Sequence, residues 1–183
     1  ISPVFAVVNL DEDEMEEIII HVYSSTMGWQ LKALDVPSET ILWESEPLTS
    51  QVSDIAAGDL NGDSFPEIAF VTYDNLIVYD SSTWTQILNK MMTYAPPYSD
   101  DLVAIIPSNP KNKGKLITNT SYSATNRFNW LQIWDGSTFK LEFTQGFHDM
   151  ILYDIVIPDM DADGSLDINI LGQKNLVSYP AYD

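Results

Sequence analysis

Acidic side chains alternate with other residues in several short stretches of this sequence. Residues 159–167 read DMDADGSLD, which places carboxylates at the first, third, fifth and ninth positions and Gly164 at the sixth. Alternate acidic side chains can surround one centre only if the chain turns sharply, which glycine permits. A hard cation such as Ca²⁺ takes about six to eight oxygen ligands at about 2.3–2.6 Å. The stretch therefore predicts a calcium-binding loop.

The same pattern recurs along the chain at a nearly constant interval. Residues 7–20, 57–70, 105–118 and 157–170 align with one another, and their first loop positions are Asn9, Asp59, Pro107 and Asp159, which lie 48 to 52 residues apart. Each copy has an apolar run, a polar loop and a second apolar run. A period of this length is typical of repeat architectures.

The segments between these loops have the composition of short strands. After the second loop they read EIAFVTYD, NLIVYDSST and TWTQILNK, and after the third KLITNTSYS, WLQIWDGST and FKLEFTQ. β-Branched and aromatic residues alternate there with turn-forming Asp, Asn, Ser and Gly, and no sustained helical period is present. The chain is predicted to be all-β, in repeated units of four antiparallel strands with the polar loop between the first two strands.

Four-stranded units at this period are typical of the blades of a β-propeller. The predicted blades cover residues 1–48, 49–97, 98–147 and 148–183, the last incomplete, in a single propeller region. Three alternatives follow: a segment of a larger propeller, four blades that close with an incomplete seam, or a blade completed by a partner's strand. We expect the first, because an unpaired edge would invite strand addition.

An EF-hand is the main competing interpretation of the loops. That motif needs a Glu at position 12 and helices on both sides. Position 12 is Ile170 in the fourth copy and Phe70 in the second, and the flanking sequences YDIVI and DINIL are strand-like. The EF-hand interpretation is therefore excluded for both loops.

The second copy, AAGDLNGDSFPEIAFV, resembles the FG-GAP or VCBS repeat of integrin α-subunit propellers and related extracellular proteins. The resemblance extends over all four copies. It implies calcium held by side chains at loop positions 1, 3, 5 and 9 and by the carbonyl at position 7. The implied ligand sets are Asn9, Asp11, Asp13, Met15 and Glu17 in the first copy, Asp59, Asn61, Asp63, Phe65 and Glu67 in the second, and Asp159, Asp161, Asp163, Ser165 and Asp167 in the fourth.

Two of the four loops depart from the pattern. In the first, Glu14 stands where glycine is expected, and Asn9 carries no charge. In the third, residues 107–115, Lys111 and Lys115 replace the acids of positions 5 and 9. Ammonium groups repel a divalent cation, so the third loop is predicted not to bind calcium.

Charge and composition restrict the partners. With 27 Asp and Glu against 8 Lys and Arg, the formal net charge is −19, which argues against nucleic acid and against anionic membranes as partners. No apolar run is long enough for a membrane span. The first residue is Ile, which fits a processed protein or a piece of a longer one with other domains.

The predicted function is a calcium-stabilised recognition or adhesion module, extracellular or at the cell surface, that binds a protein or glycan at a propeller face. The alternatives are a lectin-like or accessory propeller of a carbohydrate-active enzyme and a structural subunit of a surface assembly. We expect no catalytic activity of its own, since His21 and His148 are isolated and no nucleophile elbow, phosphate loop or zinc pattern is present. Some polysaccharide lyases resemble this repeat family, so catalysis elsewhere on a full ring stays open. The sequon at Asn119 fits a secreted protein.

Overall fold

The computed structural model describes residues 4–11, 13, 15–73, 75–92, 101–110, 113–122, 128–148, 150–157 and 168–174. These residues form fourteen β-strands and no helix. The all-β prediction is confirmed for this part of the chain. Within the same residues, no helix is long and apolar enough to cross a membrane.

The strands form four antiparallel sheets that follow one another along the chain. Sheet 1 contains β1 (Phe5–Val8), β2 (Glu17–Ser24), β3 (Gly28–Asp35) and β4 (Thr40–Glu44). Sheet 2 contains β5 (Val52–Gly58), β6 (Glu67–Thr72), β7 (Asn75–Asp80) and β8 (Thr85–Met91). Sheet 3 contains β9 (Leu102–Ile106), β10 (Lys115–Tyr122), β11 (Phe128–Asp135) and β12 (Leu141–His148), and the described part of sheet 4 contains β13 (Met150–Val156) and β14 (Asn169–Lys174).

Sheets 1 to 3 repeat one topology in detail. Sequential strands are neighbours, as in a meander, and the polar loops connect the first strand of each sheet to the second. The pairing of the third strand with the fourth shifts register at the same place in each sheet, at Ala33/Leu34, Val78/Tyr79 and Ile133/Trp134. Such irregularities increase the local twist of a sheet. Sheets 1 to 3 therefore share the same strand order and the same position of this irregularity.

The sheets stack face to face through apolar cores. Along β6 every residue is buried, because Ile68 and Phe70 pack in the core shared with sheet 1 while Ala69 and Val71 pack in the core shared with sheet 3. A third core joins sheets 3 and 4. Alternate side chains of a strand point to opposite faces of the sheet, so a sheet covered on both faces has continuous apolar strands.

The first strands of consecutive sheets lie side by side at one edge of the stack. β5 contacts both β1 and β9, and β9 contacts β13. The Ile105 side chain of β9 packs directly on the backbone of β5, because a Cβ atom added to Gly58 would lie 2.9 Å from Cγ2 of Ile105. Asp54 connects the same strands, since its Oδ2 accepts the Val103 N–H at 2.9 Å.

We expect Asp54→Asn to lower the free energy of unfolding by about 1–3 kcal/mol at neutral pH. The two carboxylate oxygens accept the backbone N–H groups of Val103 and Ile55, whereas an amide has one acceptor oxygen. Burial raises the pKa of Asp54, opposed by these two hydrogen bonds, so a neutral side chain also relieves some desolvation. The cost of leaving one of these backbone N–H groups without an acceptor should exceed the gain from reduced desolvation. Urea unfolding measures the change, and equal midpoints for Asp54→Asn and the exposed control Glu46→Gln would contradict it.

Aromatic side chains fill the gaps between sheets. Trp43 stacks on Trp84, with ring centroids 5.2 Å apart, and meets Tyr79 edge-on. The Trp134 indole N–H donates to Thr118 Oγ1 at 3.1 Å within the core between sheets 2 and 3. These contacts fit a packing role. Asn119, the sequon residue, is fully buried in β10, so the folded chain does not present its side chain for glycosylation.

Candidate metal centre

The first two polar loops share a buried glutamate at position 9. Glu17 begins β2 and Glu67 begins β6, and their side chains are 0% and 1% exposed. Glu17 Oε2 accepts the Leu10 N–H at 2.5 Å, and Glu67 Oε2 accepts the Leu60 N–H at 2.6 Å. The hydrogen bond to position 2 directs each carboxylate into its own loop. Both leucines are buried, which anchors that part of the loop.

The side chains at positions 3 and 5 bend both loops through local hydrogen bonds. In the first loop, Asp11 Oδ1 accepts the Asp13 N–H at 2.9 Å, and Asp13 Oδ1 accepts the Met15 N–H at 2.6 Å. In the second loop, Asn61 accepts from Asp63 and Asp63 accepts from Phe65, both at 2.8 Å. Asp and Asn favour such turns because the short side chain reaches the backbone two residues ahead.

The second loop uses two left-handed residues to complete its turn. Gly62 has φ 91° and Ser64 has φ 76°. Ser64 occupies position 6, where Gly164 stands in the fourth copy. The Asp59 carboxylate accepts the N–H groups of both residues, at 2.6 Å and 3.0 Å. Asp59 therefore holds a conformation that a non-glycine residue rarely adopts.

Three carboxylates converge in the first loop. Oxygen atoms of Asp11, Asp13 and Glu17 all lie within 4.8 Å of one another. Glu17 Oε1 is buried and has no hydrogen-bond partner among the residues that the structure describes. Asn9 donates its amide N–H to the carbonyl of Asp13, which places this side chain in the same turn. Several anionic oxygens around one point, one of them buried without a donor, fit a hard cation such as Ca²⁺.

The second loop brings the same positions together through an amide. Asn61 Nδ2 donates to Glu67 Oε1 at 2.6 Å and to Asp63 Oδ2 at 3.0 Å. The Asn61 amide thus lies between two carboxylates and donates N–H groups to both. A half-turn of the same amide would present its oxygen instead, which is the ligand atom that calcium takes from asparagine.

Burial and neighbouring acids both disfavour the ionised form of the two buried glutamates. Burial raises the pKa of Glu67 to about 7, partly offset by the Leu60 N–H, and Asp63, Asp59 and Asp80 add to the rise. Burial also raises the pKa of Glu17, and Asp11, Asp13 and Asp35 act in the same direction. A cation bound among these groups would reverse the effect by favouring the ionised form.

The sequence interpretation missed the acid opposite each glutamate. Glu67 pairs directly with Asp80, the last residue of β7, and Asp35 has the corresponding place at the end of β3. In sheet 3 the pair is Lys115 and Asp135. The available signal was the recurrence of Asp before Ser and Thr in DSST and DGST, where Asp80 and Asp135 cap the turn by accepting hydrogen bonds from Ser82 and Thr138.

Two lysines of the third loop form ion pairs with acids of sheet 3. Lys115 Nζ lies 2.6 Å from Glu142 Oε2, and Lys113 Nζ lies 4.0 Å from Asp135 Oδ2. Its backbone packs on the second loop, because the Ser108 N–H donates to the Asp59 carbonyl at 2.6 Å. Among the described residues of this loop, Pro107, Asn109 and Lys115 offer no carboxylate. That the loop does not bind calcium stays a prediction.

The fourth loop, with Asp159, Asp161, Asp163, Ser165 and Asp167, lies outside the described residues, as do Glu14 and Lys111. Its ligand set stays a prediction from the sequence. Comparison with known proteins adds no further constraint, because no family model and no curated protein matches the chain.

Proposed function

We propose that this chain is a β-propeller module of the FG-GAP or VCBS type, stabilised by calcium, that acts in recognition or adhesion outside the cell. The observation that carries the calcium part is the buried glutamate at position 9. Glu17 and Glu67 are both enclosed beside further carboxylates, and Glu17 Oε1 has no hydrogen-bond partner in the described part of the chain. A buried carboxylate beside other acids is costly even when it accepts one or two hydrogen bonds, so its natural complement is a cation.

The third repeat supports this proposal by contrast. In sheet 2, Glu67 at loop position 9 pairs with Asp80 on the neighbouring strand. In sheet 3, Lys115 at the same loop position pairs with Asp135. Where the chain supplies its own ammonium group, the acids of the loop have been lost. The two arrangements are alternative solutions to one electrostatic problem, one with a side-chain cation and the other with a bound cation.

The stacking of the sheets supports the propeller part. Four consecutive sheets pack face to face, and their first strands lie side by side at one edge. In a propeller, the innermost strands of successive blades surround a central axis. The polar loops would then all open on one side of the ring, where they join the first strand to the second. Recognition would use the variable loops on the ring faces.

Calcium in these loops would be structural. Side chains at four positions and one carbonyl give a nearly full ligand set, whereas a catalytic metal needs an open position toward substrate. The bound ion would hold Glu17 and Glu67 at the starts of β2 and β6 and so fix the entry to each second strand.

A cavity favours the lectin-like alternative. It has a volume of about 270 Å³ and lies between β8 and the face of sheet 3, lined by Lys90, Met91, Met92, Thr120, Trp130, Gln132, Trp134, Leu141 and Thr144. Lys90 Nζ lies 4.5 Å from the centre of the Trp134 ring. Aromatic faces beside hydroxyl, amide and ammonium groups are suited to sugars. Binding on a glycan array, lost in Trp130→Ala, would favour this alternative.

We expect Asp13→Ala and Asp63→Ala each to lower the number of bound calcium ions by one. Each change removes a carboxylate from position 5 of one loop and leaves the other loops intact. Isothermal titration calorimetry of the calcium-free protein measures the number of sites. Glu46→Ala, an exposed acid outside the loops, serves as the control and should leave that number unchanged. A site number that neither loop substitution alters would refute the calcium proposal.

A further inference from the structure

The cavity between β8 and the face of sheet 3 lies away from the polar loops. It is lined by Lys90 near the end of β8, by Thr120 near the end of β10 and by Trp130 near the start of β11. The polar loops lie at the opposite ends of the strands, before β6 and before β10. The cavity volume of about 270 Å³ is slightly below the range of about 300–1,000 Å³ that is usual for small-molecule sites. A ligand the size of one sugar ring would therefore occupy it.

The face of sheet 3 toward this cavity carries polar side chains that have no partner in the described part of the chain. Trp130 pairs with Thr120 of β10, and Gln132 pairs with Thr144 of β12. Paired residues, and residues two apart on one strand, lie on the same face of a sheet. The side chains of Thr120, Gln132 and Thr144 make no hydrogen bond to the residues that the structure describes. Their hydroxyl and amide groups can therefore bind a ligand, beside the half-buried ring of Trp130.

The equivalent face of sheet 2 is apolar instead. Counted from position 9 of each loop, Thr118 of sheet 3 corresponds to Phe70 of sheet 2. Their pairing partners, Gln132 and Ile77, correspond in turn. Phe70 is fully buried and Ile77 nearly so, and both pack in the core between sheets 1 and 2. The interface between sheets 2 and 3 is thus polar at a position where the preceding interface is an apolar core.

Lys90 also differs from the equivalent residue of the preceding sheet. It pairs with Leu76 of β7. The corresponding residue in sheet 1 is Ser45, which is buried and whose hydroxyl accepts the Leu31 N–H of its own sheet at 3.0 Å. Lys90 instead reaches across to sheet 3, where its Nζ lies 4.5 Å from the centre of the Trp134 ring. A long cationic side chain therefore replaces a small, hydrogen-bonded one at the border of the cavity.

The ammonium group of Lys90 has no acid to pair with among the residues that the structure describes. Lys32, Lys113 and Lys115 each form an ion pair with an aspartate or a glutamate, whereas Lys90 contacts the Trp134 ring. No Asp or Glu is among the described residues that line the cavity. In a chain with 27 Asp and Glu, a cation left without an acid favours an anionic ligand.

We propose that this cavity binds a sugar ring that carries an anionic group, either a carboxylate or a sulfate ester. Lys90 pairs with the anionic group, and the Trp130 indole packs on the apolar face of the ring. Gln132 and the two threonines of the cavity form hydrogen bonds with the sugar hydroxyls. This inference depends on the lectin-like alternative for the function of the chain and specifies the class of its ligand. It does not depend on calcium.

The net charge of −19 does not prevent such binding. Exposed charges that lie farther away than the Debye length, about 8 Å at physiological ionic strength, are largely screened. The nearby charge of Lys90 therefore decides which ligand the cavity prefers, and the total charge mainly slows the approach of an anion.

Pairs of sugars that differ in one group test this inference. Methyl glucuronide differs from methyl glucoside, and methyl galacturonide from methyl galactoside, by a carboxylate in place of a hydroxymethyl group. The 6-sulfates of the two neutral glycosides extend the series. At least one anionic member should bind roughly three- to tenfold more tightly than its neutral counterpart, the difference expected for one partly exposed charged contact. Ligand-observed NMR titration measures the Kd of each sugar.

Substitutions assign the preference to the cavity. Lys90→Met removes the ammonium group but keeps a side chain of similar length, and it should make the affinities for the anionic and the neutral sugar equal. Lys140→Met, at an exposed lysine just before β12, is the matched control and should keep the preference. Gln132→Ile gives this position the side chain of its equivalent, Ile77, and should abolish binding of both sugars. Its urea midpoint should stay at or above that of the wild type, which separates loss of binding from loss of the fold.

The remaining outcomes distinguish this inference from the broader proposals. Because the cavity lies away from the polar loops, binding should persist in EGTA below the midpoint of unfolding. Equal affinities for anionic and neutral sugars, or an unchanged preference in Lys90→Met, would overturn the inference and leave the lectin-like alternative intact. Binding that EGTA abolishes in protein still folded by circular dichroism would also overturn it. The absence of binding by any sugar would overturn both this inference and the lectin-like alternative, with the calcium proposal unaffected.

Discussion

Removal of calcium with EGTA is expected to lower the thermal midpoint of unfolding of this protein. Glu17 and Glu67 are enclosed beside other acids, so the calcium-free fold retains unfavourable repulsion that the unfolded chain relieves. A ligand that binds only the folded state at a hundredfold excess over its Kd adds about 2.7 kcal/mol of stability. For a chain of this size, each filled site should therefore raise the midpoint by on the order of 5–10 °C. Differential scanning calorimetry with calcium and with EGTA measures the difference.

Loop variants assign the effect to individual sites. Asp63→Ala should reduce the calcium-dependent part of the midpoint, and Asp161→Ala should do the same for the fourth loop. Lys115→Ala tests the third loop, and the calcium-dependent part should then equal that of the wild type. Magnesium at the same concentration controls for general screening of the net charge of −19. A midpoint indifferent to both EGTA and calcium would refute the metal proposal and leave the stacking of the sheets unaffected.

Glu67→Gln is expected to change stability in opposite directions with and without calcium. In EGTA above pH 7, the amide should raise the free energy of unfolding by about 1–3 kcal/mol, because it removes the charge of a buried carboxylate while its oxygen can still accept the Leu60 N–H. Unlike the backbone donors of Asp54, the Asn61 side-chain amide that donates to the second oxygen of Glu67 can turn and accept from the new N–H. In saturating calcium the variant should lose the gain from that site, about 2.7 kcal/mol at a hundredfold excess over Kd. Urea unfolding in the two buffers measures both changes.

Glu67 also makes the stability of the calcium-free protein depend on pH. Burial raises the pKa of Glu67 to about 7 from 4.5, so its ionisation opposes folding. In EGTA, the contribution of Glu67 to wild-type stability should be lost as the pH rises from 4.5 to about 7. Over this interval the carboxylate is already ionised in the unfolded chain but still protonated in the folded one. Glu67→Gln should lack this loss, and the exposed control Glu46→Gln should retain it. Identical pH profiles for wild type and Glu67→Gln would contradict the buried-charge interpretation.

Much of the local structure could be predicted from the sequence. The alternation of apolar and polar residues correctly placed the polar loops between the first and second strands of sheets 1 to 3, and DSST and DGST correctly marked turns after β7 and β11. These features depend on residues close in sequence. The positions of the tryptophans follow no such local rule, since Trp130 and Trp134 lie in the third strand β11 whereas Trp43 lies in the fourth strand β4.

The sequence by itself determined the repeat, the all-β class and the acids available in each loop, because period, propensity and residue type are local properties. Only the tertiary structure decided that Glu67 faces Asp80 and that Asn119 is buried. Each of these depends on strand register or on which sheet lies opposite, which the free energy of packing the whole chain selects. The polar loops and their acids can thus be seen in the order of the residues, whereas the burial of Glu17 and Glu67 beside other acids, on which the calcium proposal rests, arises from the pairing of strands.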